Sequence, residues 1–127
     1  MEGADAPTES DRIRDGLRLF NEEFFFEAHE VLEDVWHKEH GEPRLFLQGL
    51  IQLCAGFHHL QNGNYRGAVA LLQRGADKMR KYPERYMDLD SAAIIGRVDA
   101  CRERIEKMQV GVEPAGPIEF PKVRIDA

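Results

Sequence analysis

The sequence predicts an all-α fold, a compact bundle of about five helices, and three observations carry that prediction. Apolar residues recur at three- and four-residue intervals through four separate segments. Among them lies a further segment, Pro43 to Gln61, that is apolar on nearly all sides, as a helix at the centre of a bundle must be. Short turn and cap signals at Gly41, Asn62-Gly63-Asn64 and Pro83 part the segments from one another.

Residues 1–9 are small, polar and acidic, and are expected to be disordered. A single helical domain is expected over 10–109, followed by an extended, Pro-containing tail over 110–127. Ser10 or Asp11 can cap a first helix in which Ile13, Leu17 and Phe20 recur at helical spacing. Asn21 reads as the N-cap of a second helix, with Glu22 and Glu23 in its first turn, where the dipole favours anions. That helix is expected to run to about Glu39, with Phe24, Ala28, Val31, Leu32 and Val35 as its core stripe.

The third helix, Pro43 to about Gln61, is expected to be central. Its apolar surface is interrupted by one line of Gln48, Gln52, Ala55 and His59, flanked by Gly49 and Gly56, which permit close helix approach. His58 falls off that line and reads as an ordinary histidine. The fourth helix, Tyr65 to Tyr82, should bury Tyr65, Ala68, Val69, Leu72, Ala76 and Met79. One short helical turn is expected at Glu84-Arg85-Tyr86. Asp90 is a plausible N-cap for a fifth helix to about Met108, with Ala92, Ile95, Val98, Cys101, Ile105 and Met108 inward. Beyond Val110, three prolines bar a helix, so the tail is either a strap across the bundle or a partner-binding arm.

The chain has 127 residues, 31% of them charged, with a net charge of −6. An acidic chain without a basic patch is not expected to bind nucleic acid. No run of residues approaches the length and apolarity of a membrane span, and no leader-like segment opens the sequence, so a cytoplasmic location is expected. Cys54 reads as a core residue, and nothing in the sequence pairs it with Cys101.

The candidate chemistry sits on the second helix. His29 and Glu33 stand one turn apart at the margin of its apolar face, and Trp36 follows. Imidazole and carboxylate at this spacing could share a divalent metal, or the carboxylate could orient the ring as a general base. They are therefore the candidate catalytic residues and the candidate metal ligands. The same pair is also an ordinary helix-surface contact, worth a few tenths of a kcal/mol. Gln48, Gln52 and His59 need partners on a buried helix, and with Trp36 they form the candidate ligand-binding set. A hydrogen bond from one of them to His29 or Glu33 is expected if the two polar lines meet.

Other site types fail on residue count. A zinc-protease motif needs a second His where Glu33 stands. A ferritin-like di-iron site needs two Glu-x-x-His helices, and no histidine follows His59. No Gly-x-Ser-x-Gly occurs, and Cys54 looks buried. The remaining cofactor is a weakly held divalent metal, and the remaining ligand is a small molecule. The competing class is a non-catalytic scaffold or interaction module. Phe24, Phe25 and Phe26 span about 200° of a helix, so at least one must line a pocket, meet the tail or pack on another subunit of a homo-oligomer.

Two blocks resemble a known family. Phe20-Asn21, Phe24-Phe25, Glu27-Ala28-His29-Glu30, Leu32-Glu33 and Trp36 form the first. Phe46-Leu47-Gln48-Gly49-Leu50-Ile51-Gln52 with His59-Leu60 and Gly63-Asn64 form the second. Together they are similar to the bacterial and archaeal domain-of-unknown-function family numbered 309, over roughly residues 12–82. The resemblance implies a small all-helical domain and a His-x3-Glu-x2-Trp signature at His29, Glu33 and Trp36. It implies no activity.

Overall fold

The structure is a computed structural model that describes residues 8–124. The expected disorder of residues 1–9 falls mostly outside that range. Thr8 and Glu9 lie inside it, and here the helix begins earlier than expected. The first helix, α1 (Glu9–Asn21), is capped by Thr8, whose hydroxyl accepts from the Asp11 N–H while the Asp11 carboxylate accepts from the Thr8 N–H. This reciprocal pair satisfies two free backbone donors, which Ser10 or Asp11 as the cap would not.

The remaining helices are α2 (Phe25–Lys38), α3 (Arg44–Gln61), α4 (Tyr65–Met79) and α5 (Ser91–Gln109). Asn21 is not the cap of α2. It closes α1, Glu23 follows at φ 66°, and Phe24 is the N-cap. The reason is that the Asn21 side chain is committed elsewhere, to the C-terminal segment described below. The later start also rephases the three phenylalanines. Phe25 takes the core position, in contact with Phe20 and Phe57, while Phe24 is 50% exposed and Phe26 48%.

Helices α3 and α4 form the tightest pair, packed antiparallel. A Cβ built on Gly49 would lie 2.8 Å from the Gly75 carbonyl oxygen, and one on Gly75 would lie 2.7 Å from the Gly49 carbonyl oxygen. Two facing glycines thus let the backbones touch, with Leu72 against Gly56 farther along. Helix α3 also packs on α2, so its apolar surface is covered from both sides, and ten of its residues are buried. That is the central position its composition required. On the other side of α2 lies α1, where Gly16 admits the Leu32 side chain.

Phe24 thus leaves the expected core stripe, and two further burial expectations fail. Tyr65 is exposed although it stands in line with Ala68 and Leu72, because it is the first residue of α4 and has no preceding turn to lie over. Ala92 is exposed in α5, where Ser91 and Ile94 turn inward in its place.

The expected helical turn at Glu84-Arg85-Tyr86 is instead a hairpin. Strands β1 (Arg85–Tyr86) and β2 (Leu89–Asp90) pair antiparallel, Tyr86 opposite Leu89. Met87 and Asp88 bridge them at φ 53° and 61°, the left-handed pair that a two-residue hairpin turn demands. The usual glycine is missing, which hid the turn. Asp90 does cap α5, through the Ala93 N–H.

After α5 the chain runs extended across the bundle as a strap. The Asn21 amide donates to the Val123 carbonyl and accepts from the Val123 N–H, both at 2.7 Å, as a neighbouring strand would. Lys122 Nζ donates to the Asn21 carbonyl and pairs with Glu23, while Arg97 donates to the Lys122 carbonyl. Phe120 lies against Phe25 and Phe57, and Val123 is buried. The tail therefore completes the core. Among the described residues, no helix is long and apolar enough to cross a membrane.

Candidate functional site

Helix α2 carries His29 on its flank toward α3, with Glu33 one turn on. Nε2 of His29 lies 3.1 Å from Glu33 Oε2, and Nε2 of His37 lies 3.6 Å from Glu33 Oε1. One carboxylate is thus shared by two imidazoles a turn to either side. His29 is 27% exposed and Glu33 41%, so the pair is half-buried. Nδ1 of His29 is buried and has no hydrogen-bond partner. Helix α2 ends at Lys38, so His40 falls outside it and is exposed.

Three imidazoles meet at the α2–α3 edge. His29, His58, His59, Phe26 and Ala55 line a hollow of about 180 Å3. The Phe26 ring stacks on His29 with centroids 6.1 Å apart and leans on His58 at 5.3 Å. The His59 Nδ1 is hydrogen-bonded to the Asn64 amide at 3.1 Å, and the same Asn64 caps α4. His29 of α2 thus shares one hollow with Ala55 and His59 of α3.

The contact between them is not the expected one. Among the described residues, no hydrogen bond joins Gln48, Gln52 or His59 to His29 or Glu33. Gln52 keeps a buried oxygen without a partner, and neither glutamine lines the hollow. Trp36 is also elsewhere. The Arg44 guanidinium stands 3.9 Å above its ring and donates to the carbonyls of Trp36 and Glu39, which clamps the α2–α3 turn.

Sequence reasoning missed His58 and Phe26 as lining residues. The signal was present: His58 lies near the end of α3, and Phe26 near the start of α2, so an antiparallel pair brings them level. Among the described residues, no group of three or more His, Cys, Asp or Glu side chains is placed to hold a metal ion.

Fold and hollow define a small all-helical domain with an imidazole-rich edge. Residues 13–71, from α1 to the middle of α4, match the model of the family described as "Domain of unknown function (DUF309)". The resemblance carried by the two motif blocks thus holds over that span. No curated protein matches the chain.

Proposed function

We propose that the protein binds a small polar ligand at the α2–α3 edge, in the hollow between Phe26 and the imidazoles of His29, His58 and His59. The observation that carries this reading is the convergence of one histidine from α2 and two from α3 on one hollow. Imidazole edges offer both donors and acceptors, and the Phe26 ring offers a flat apolar wall. The unpartnered His29 Nδ1 supports the reading, because a buried ring nitrogen without a hydrogen-bond partner is costly unless something fills the role.

A divalent metal on His29 and Glu33 is the narrower form of the same proposal. With two side-chain donors it would complete its shell with water and be weakly held. The competing reading, a structural scaffold, draws on the Arg44–Trp36 clamp, which gives the family's aromatic position a packing role.

Thermal melts of His29→Ala and Glu33→Ala, with calorimetric titration of Zn2+, Ni2+ and small carboxylates, separate the readings. A binding site predicts stability changes within about 0.5 kcal/mol, as for a solvent-screened pair, together with loss of ligand uptake. A scaffold predicts that each variant melts several degrees lower and that the wild type takes up nothing.

A further inference from the structure

We propose that the hollow between α5 and the C-terminal strap is a second binding site, for a small amphipathic carboxylate. At about 550 Å3 it has the size of a small-molecule site, and it is independent of the α2–α3 edge. Its apolar wall comes from both elements: Ala100 and Cys101 of α5, Ile118 and Phe120 of the strap. That wall suits an aliphatic or aromatic body.

The charge of the rim selects the head group. Arg97 gives one N–H to the Lys122 carbonyl and has no carboxylate partner among the described residues. Arg104 pairs with Glu113, Nε to Oε2 at 3.7 Å, and its Nη2 stands over Gly116 at the mouth of the strap. Lys122 also lines the hollow, but its ammonium is held by Asn21 and Glu23. Two guanidinium groups thus line the hollow with N–H donors to spare, Arg97 without a carboxylate partner among the described residues. Guanidinium matches carboxylate geometry with paired N–H donors.

Glu119 lies on the same lining and sets the upper limit. Glu113 on Arg104 and Glu119 on the lining offset the two guanidinium charges, so the rim has no surplus for a dianion such as phosphate and offers one carboxylate the N–H donors of Arg97 and Arg104. An apolar body with one carboxylate satisfies wall and rim together.

The test is a titration of the 15N-labelled full chain with octanoate, octanol and octylammonium, followed by amide shifts. The expected result is saturable movement at Ala100, Cys101, Ile118 and Phe120 with octanoate, at least tenfold tighter than with either comparator. Arg104→Gln, with its fold checked by melting, should weaken octanoate about tenfold, the loss of one charge-assisted pair. Ala100→Leu keeps both charges but occupies the wall, and should also weaken it. No saturable shift overturns the proposal, as does equal binding of octanol or octylammonium, or movement confined to Phe26, His58 and His59.

Discussion

Arg44 shows how much one side chain can organise. Its guanidinium covers the Trp36 ring and donates to two carbonyls at the end of α2, where backbone acceptors outnumber helical donors. Arg44→Gln should therefore lower stability by about 1–2 kcal/mol, read from urea unfolding, and Arg44→Lys should recover little, since an ammonium lacks the planar fork. The thiols make a second residue-scale case. Burial pushes Cys54 up to about 12 and Cys101 up to about 11. Above pH 9 the unfolded chain loses the Cys54 proton while the folded one keeps it, so stability falls as pH rises from about 9 toward 12. Wild type should lose urea resistance over that window faster than Cys54→Val, and equal slopes would exclude the thiol as the cause.

At the scale of elements, glycine does opposite things in different helices. Gly49 and Gly75 allow α3 and α4 to touch, so Gly49→Ala should cost about 1–3 kcal/mol despite the better helix propensity of alanine. Gly96 of α5 has nothing within reach of a Cβ, and Gly96→Ala should stabilise by about 0.5–1 kcal/mol. A pair of melts decides both signs. The same contrast marks what could be read in the chain. Helix number, the central α3 and the Asp90 cap were legible, because apolar period and cap chemistry are local. The hairpin at Met87-Asp88 was not, because a left-handed turn without glycine leaves no local sign and is held by its surroundings. The candidate site was half legible. His29–Glu33 is a within-helix spacing, whereas the meeting of Phe26 with His58 depends on how two helices align.

Taken whole, the molecule is a helical stack closed by a strap, and the closure rests on Asn21. Its amide substitutes for a missing strand and joins residues 102 positions apart in the chain. Such a contact can form only after the helices have docked, since closing so long a loop early would cost entropy that no neighbouring contact returns. The strap should then be absent at the folding barrier and present only beyond it. Stopped-flow chevrons of Asn21→Ala should show an unchanged folding limb and unfolding faster by about ten- to a hundredfold, matching about 1–3 kcal/mol lost entirely from the native side. On this view Asn21 acts as a latch on a timescale: it does not decide how fast the protein reaches its fold, but sets how long each molecule stays there once folded.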